Sequence, residues 1–487
     1  MGALSFLDRE HTVAGPGFSR WLVPPAALCV HLCIGQAYAF SVFNKPMTKL
    51  LGIANATAPA TWQTNLDWVK SLPNDWSIPA LGWIFSLAIF FLGTSSAVFG
   101  RWVEEGGPRR AMFTAALCWA GGFFLSAIGV YSHMLWLIYI GYGVLGGCGL
   151  GIGYISPVST LIKWFPDRPG MATGMAIMGF GGGAFIASPL SVWLMRKFST
   201  PTHVGVAETF IALGVIYFFF MVVGAIIVRV PAPGWKPAGY TPPVTAQKLI
   251  TKNDVFVYDA LKTPQFWLIW WVLCLNVTAG IGVLGQASLM SQEMFPGHIT
   301  PVAAAGFVGL MSLFNMGGRF GWATVSDYIG RRNTYFVFMV LGFCLYCLVP
   351  YTGSIGSVAA FVICFLIIIS MYGGGFSTVP AYLKDMYGTR YVGAIHGMLL
   401  TAWSAAGIFG PVIVNYLRQY NLTHGVPKAQ AYNNTMYIMA GLLVIGFICN
   451  ALVRAVHARY HMKADDPRAH DVTAAATPKA APVGARA

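Results

Sequence analysis

The sequence predicts an all-α integral membrane protein with twelve transmembrane helices arranged as two six-helix halves. Three observations lead there. Of 487 residues, 56% are hydrophobic and only 9% charged, with a mean hydropathy of +0.63; soluble domains carry about 25% charged residues. Twelve windows are long and apolar enough to cross a bilayer, which takes about 20 residues. Motifs in the first six windows recur in the second six.

Taken in order, residues 1–21 form a mixed N-terminal segment without the short apolar core and small-residue site of a cleaved signal peptide. The first half, 22–229, holds spans near 22–43, 79–100, 111–131, 134–158, 170–194 and 207–229. Residues 230–263 are polar and proline-containing ("PAPGWKPAGYTPPVTAQKLITKND"), the composition of a linker. The second half, 264–456, holds spans near 264–290, 302–325, 333–351, 356–380, 392–417 and 432–456. The tail 457–487, ending "TAAATPKAAPVGARA", reads as disordered.

The 30 basic residues exceed the 16 acidic ones, but they lie in short loops between apolar spans. That pattern reports topology, and no nucleic-acid partner is expected. With both termini and the linker on one side, 22 basic residues collect there and seven on the other, leaving Arg319 inside the membrane. The basic side is cytoplasmic by the positive-inside rule. The expectation is a multi-pass protein of the plasma (inner) membrane with both termini cytoplasmic, working as a monomer in the lipid bilayer.

All nine cysteines fall in apolar spans, and Cys344-x-x-Cys347 at helical spacing reads as packing. No disulfide, metal or other cofactor is expected. The runs "GVLGGCGLGIGY" and "GFGGGAF" follow no strand and precede no Gly-Lys-Ser or Gly-Lys-Thr, so they are not nucleotide loops. They suit close, sliding helix backbones. No catalytic grouping is visible, and an enzyme is not expected.

The repeat is specific. "GRWVEEGGPRR" (100–110) and "ATVSDYIGRR" (323–332) each place an acid three residues before a glycine and then paired arginines; Glu104 and Asp327 are 223 residues apart. Gly174 and Gly397, in "ATGMAIMGFGGGAFIASP" and "AIHGMLLTAWSAAGIFGP", are again 223 apart. "IGQAYAF" (34–40) answers "LGQASLM" (284–290) at an offset of 250, the difference falling in the long loop 44–78. A parallel six-plus-six repeat is a transporter layout. The acids Glu104 and Asp327, with Arg109, Arg110, Arg331 and Arg332, form candidate latches between helices in the two loops.

Arg319 is the central candidate. It lies in the apolar run "SLFNMGGRFGWATVSDYIGRR", eight residues before Asp327, about 12 Å inside the span end at 1.5 Å per residue. Charges at such depth mark function. None of the 16 acids falls near mid-membrane, and snorkelling does not cover that depth, so the counterion has to come from elsewhere. A carboxylate substrate supplies it and matches the planar fork of a guanidinium. Gln36 and Gln286, at repeat-equivalent places, either bond across helices or line a polar cavity. Tyr38, Tyr154, Tyr372 and Trp403 lie beside glycine-rich turns, where each either packs or joins an aromatic wall around a small carboxylate. His31 reads as the one histidine clearly at depth, either a hydrogen-bonded neutral group or a proton carrier. Lys45 stands at the outer end of span 1, and Lys384-Asp385 reads as a gate or loop pair.

The loop Gly100–Arg110 resembles the signature loop of the major facilitator superfamily, with Glu104 in the usual aspartate place. "GQAYAFSVFNKPM", "GCGLGIGYISPVSTLIKWFPDRPGMATG", "GIGVLGQASLMSQ", "NMGGRFGWATVSDYIGRRNT" and "MYGGGFSTVPAYLKDMYGTRYVGAIHG" together resemble the oxalate/formate antiporter family, relatives of the monocarboxylate transporters. The resemblance implies a secondary active transporter of small carboxylates such as formate, oxalate, lactate or pyruvate. It would work by alternating access, as an anion exchanger, with Arg319 in place of the family's span-8 carboxylate-binding arginine. A proton-coupled monocarboxylate symporter is the alternative within the class, and a non-transporting membrane sensor the alternative outside it. Oxalate-handling members carry a span-11 lysine in a pattern like Tyr-Thr-Ala-Lys-Gly; here Leu400-Thr401-Ala402-Trp403-Ser404 puts Trp403 in its place, which favours a monoanion.

Overall fold

The computed structural model describes residues 5–51, 75–76, 78–237, 239, 249–251 and 253–463. The side chain of Lys45, most of the loop 44–78, part of the linker and the tail beyond 463 lie outside the described residues. Eleven helices among the described residues are long and apolar enough to cross a membrane: α1 (Arg20–Phe43), α2 (Ala80–Gly106), α3 (Pro108–Tyr131), α4 (Leu135–Trp164), α5 (Pro169–Phe198), α6 (Val206–Ile227), α7 (Pro264–Met294), α9 (Arg331–Ser354), α10 (Val358–Tyr387), α11 (Val392–Thr423) and α12 (Lys428–Leu452). Between α7 and α9 runs α8 (Pro301–Ile329), 29 residues long, with Asn315 and Arg319 in its middle. No named strand occurs among the described residues, only isolated bridges.

Local sequence sets where the helices begin. Prolines open α3, α5, α7 and α8, where a missing N–H leaves no helical bond unmade. Thr263 and Thr300 cap α7 and α8, their hydroxyls accepting from the backbone N–H of Phe266 and Ala303. Gly107 and Gly330, again 223 residues apart, both turn the chain with positive φ, 84° and 86°. A side chain would be strained there, so the two sharp turns after α2 and α8 are one device used twice.

Helices before the linker pack mainly on one another, α1 with α5 and α6, α3 with α6, and α2 with α4. Those after it pair α7 with α11 and α12, α8 with α10, and α9 with α12. Contacts between the two sets run chiefly through α5 on α8 and α2 on α11. Small residues permit these approaches. A Cβ on Gly174 of α5 would lie 2.9 Å from the Arg319 carbonyl oxygen of α8, and one on Gly397 of α11 would lie 2.2 Å from the Ser96 carbonyl oxygen of α2.

Three helices are irregular in the bundle interior. α1 tightens to a 3-10 helix over Gly35–Phe43, α4 widens to a π-helix over Tyr139–Gly146, and α11 is interrupted at Leu400. Irregular backbone at membrane depth survives where protein, not lipid, surrounds it, and such breaks mark functional positions.

Candidate functional site

Arg319 is fully buried, about 15 Å from the end of α8 at Ile329. Its Nε donates to Asn315 Oδ1, one turn earlier, at 2.9 Å. That bond fixes the fork so that the edge bearing the two terminal nitrogens is presented. The guanidinium carbon lies 5.5 Å from the ring centre of Phe180 on α5 and 5.1 Å from that of Phe376 on α10, cation–π range for both. Glycines make room for it: an added Cβ would sit 3.0 Å from Arg319 Nε at Gly181, and 2.6 Å from Asn315 Oδ1 at Gly373.

Around this cation the rings close. Trp403 stands 4.3 Å from Phe376, 5.3 Å from Phe180, 5.5 Å from Tyr154 and 6.4 Å from Tyr38, centre to centre. The hydroxyls of Tyr38 and Tyr372 bond at 2.9 Å. Tyr154, Tyr372 and Trp403 are all under 2% exposed. The tyrosines and the tryptophan that stand far apart in sequence therefore meet in one cage, on helices α1, α4, α10 and α11.

The cage is rich in donors and poor in acceptors. The Tyr38 and Tyr154 hydroxyls lie close to the guanidinium, yet neither terminal nitrogen of Arg319 makes a well-formed hydrogen bond among the described residues. The Tyr154 hydroxyl and the Trp403 indole N–H are likewise unpartnered there. A buried donor without an acceptor forfeits about 1–3 kcal/mol, more when it is charged. A carboxylate, which only accepts, is the complement of such a set.

Other sequence candidates fall elsewhere. Gln36 is fully buried and accepts from the Tyr142 hydroxyl of α4 at 2.8 Å, a bond across helices. Gln286 is half-buried late in α7 and is absent from the ring contacts of the cage. His31 is buried, but it is not alone: His396 on α11 is 1% exposed, and both rings pack on Tyr154. The reading of His31 as the one deep histidine is thereby corrected. A histidine close to a span end in sequence is buried because α2 and α4 cover α11. Phe180 and Phe376, the faces that hold the guanidinium, carry no sequence signal beyond their apolarity.

At the end of the bundle that carries residues 5–22 and the linker, the loop acids join the two sets of helices. Glu104 of α2 pairs with Lys163 of α4, and its other oxygen accepts from the backbone N–H of Gly393, in the first turn of α11, at 3.0 Å. Asp327 of α8 accepts from the backbone N–H groups of Gly170 and Met171, in the first turn of α5, both at 2.9 Å. Each acid sits on the positive end of a helix from the other set. Arg331 binds Asp327 and, at 3.3 Å, Asp385, which lies 3.8 Å from Lys384. The other arginines serve differently: Arg109 donates to the Phe6 carbonyl at 2.7 Å, Arg110 lies over Trp102, and Arg332 donates to Asn450 and Ala451 carbonyls. So the expected acid–arginine latch is, for Glu104, an acid–lysine pair with a helix cap.

Comparison with known proteins agrees with this architecture. The Major Facilitator Superfamily model matches residues 26–411. The oxalate:formate antiporter of Oxalobacter formigenes is 28% identical over 394 residues, 80% of this chain and 83% of that protein. Apicoplast pyruvate carrier 1 of Toxoplasma gondii is 22% identical, over 78% of this chain and 80% of that one. Among solved structures, the human organic anion transporter MFSD10 superposes with a TM-score of 0.59 at 13% identity, over 88% of this chain and 99% of that one.

Proposed function

The chain belongs to the Major Facilitator Superfamily, and from that premise we propose that it carries small monocarboxylates across the plasma membrane by alternating access, as an anion exchanger. In this reading twelve spans form two six-helix halves, 22–229 and 264–456, joined by the linker 230–263. The termini and the latched end face the cytoplasm, because the basic residues concentrate there. The single observation that carries the proposal is the fully buried Arg319 whose terminal nitrogens have no partner among the described residues. An isolated charge of that kind is strongly destabilising, and a bound carboxylate relieves it. The names of the relatives, an oxalate:formate antiporter and a pyruvate carrier, fit a small carboxylate. Arg319 anchors the carboxylate; Tyr154 and Trp403 offer further donors; Tyr38, Tyr372, Phe180 and Phe376 exclude water and limit size.

The test is counterflow in proteoliposomes with pyruvate, lactate, formate and oxalate. Wild type should exchange a labelled monocarboxylate. Arg319→Lys, which keeps charge but loses the fork, should exchange it poorly, and Arg319→Ala not at all. Normal exchange by correctly inserted Arg319→Ala protein refutes the anchor.

A further inference from the structure

The carboxylate reading leaves two buried imidazoles unused. His31 on α1 and His396 on α11 come from opposite sides of the linker in sequence, yet both meet the ring of Tyr154, at 5.4 and 5.9 Å between centres. Both are essentially without solvent exposure. His31 Nδ1 lies 3.2 Å from the Ala27 carbonyl oxygen. A carbonyl only accepts, so Nδ1 carries the hydrogen and Nε2 holds the free lone pair. That Nε2 has no partner, and neither nitrogen of His396 has one. Unspent imidazole nitrogens at such depth are rare without a task.

The groups facing the pair from each neighbouring helix can be named. α4 presents the Tyr154 hydroxyl, α8 presents the charge of Arg319 to His31, and the two histidines face each other. α5 presents only Gly179, whose added Cβ would lie 3.0 Å from His31 Cβ. α2 presents the backbone of Ser96 and Ala97 beside Gly397. The acid on that side, Glu104, is already engaged with Lys163 and Gly393.

We propose that His31 and His396, bridged by Tyr154, form a proton-binding site linked to the carboxylate site, so that one proton travels with each carboxylate in net transport. The proposal rests on Arg319 as the anchor. The step is simple: the free lone pair of one imidazole takes a proton and becomes imidazolium, and no bond to carbon changes. Charge fixes the order. The empty site holds Arg319 alone, net +1. A proton added there makes +2 in a closed, water-free interior, which is disfavoured. A carboxylate on Arg319 brings the site to zero, and the proton then restores +1. Empty and fully loaded carriers thus bury the same net charge, and both can reorient. By linkage, whatever the anion adds to proton affinity the proton adds to anion affinity. Exchange is the same cycle run without return of the empty carrier.

The test uses the full chain in proteoliposomes enclosing a pH-sensitive dye, with pyruvate added outside and protein-free vesicles as the control for passive permeation. Wild type should acidify the lumen with about one proton per pyruvate, and should bind pyruvate in detergent about tenfold more tightly at pH 6 than at pH 8. The His31→Gln, His396→Gln double variant should bind with no such pH dependence. Wild-type counterflow of pyruvate with no proton signal during net uptake overturns the proton site and leaves Arg319 standing. A double variant that keeps the wild-type pH dependence overturns it as well. No pyruvate counterflow by wild type, across the carboxylate panel, overturns the anchor and the proton site together.

Discussion

The cage makes a quantitative demand on substrate charge. Arg319 is the cation at its centre, and position 403 contributes an indole whose ring stands 4.3 Å from Phe376, itself 5.1 Å from the guanidinium carbon. A monocarboxylate bound to Arg319 leaves this space neutral. A dianion such as oxalate leaves it at −1, with its second carboxylate against aromatic carbon. At an effective dielectric near 20, one missing ion contact at about 4 Å forfeits roughly 4 kcal/mol of attraction before desolvation is counted. That corresponds to weaker binding by about three powers of ten. Wild type should therefore bind pyruvate, lactate or formate more tightly than oxalate. Trp403→Lys places an ammonium in the cage and should move the preference toward the dianion. The assay is displacement of labelled pyruvate by each unlabelled acid in detergent, wild type beside variant. If wild type binds oxalate more tightly than every monocarboxylate tested, the charge count is wrong and a second cation must reach the site.

Three further outcomes follow from particular contacts. Gly373→Ala would put a methyl group 2.5 Å from the Asn315 carbonyl oxygen and 3.1 Å from Arg319 Cγ; such overpacking is worth about 1–3 kcal/mol, and pyruvate should bind at least about tenfold more weakly, so unchanged affinity would show that Asn315 does not set the fork. Glu104→Ala removes both the cap on Gly393 and the partner of Lys163; a helix cap is worth about 0.5–2 kcal/mol, so amide hydrogen exchange over 388–400 should rise several-fold, and an unaltered rate speaks against a latch. Asn253, exposed in the linker, should as a cysteine react with a membrane-impermeant maleimide only after cells are opened; labelling in intact cells would invert the orientation of the whole chain.

Much of this architecture is legible in the sequence because bilayer physics is a strict reader. Long apolar windows become helices when every backbone group must bond within its own segment, and the observed helices start where proline or a threonine cap says they should. Arg319 is legible for the same reason: a lone charge at depth has few explanations. The repeat, seen as acids and glycines 223 residues apart, reappears as the paired turns at Gly107 and Gly330 and the paired caps made by Glu104 and Asp327. Other features depend on tertiary contact. The 3-10 stretch at Gly35–Phe43, the π stretch at Tyr139–Gly146 and the interruption at Leu400 are written in ordinary apolar residues, and packing selects them. Phe180 and Phe376 look like any other membrane phenylalanine until the guanidinium lies between them. His396 sits within a turn of a helix start and is hidden only by its neighbours.

The position of Arg319 also explains how a small anion can govern the large contact between the two sets of helices. α8 carries three things on one continuous helix: Asn315 and Arg319 at the cage, the backbone that Gly174 of α5 approaches, and Asp327, eight residues on, which caps α5. Eight residues span about 12 Å, and an intact helix transmits displacement over that length without a change of shape. Phe180 on α5 faces the guanidinium directly. An anion drawn to Arg319 therefore acts on both members of the α5–α8 contact, where a shift of an ångström is comparable with the tolerance of a 2.9 Å hydrogen bond from Gly170 to Asp327. Packed interfaces switch between discrete arrangements rather than deform continuously. The anchor and the latch are two ends of one rigid body, so neutralising the first alters the balance at the second.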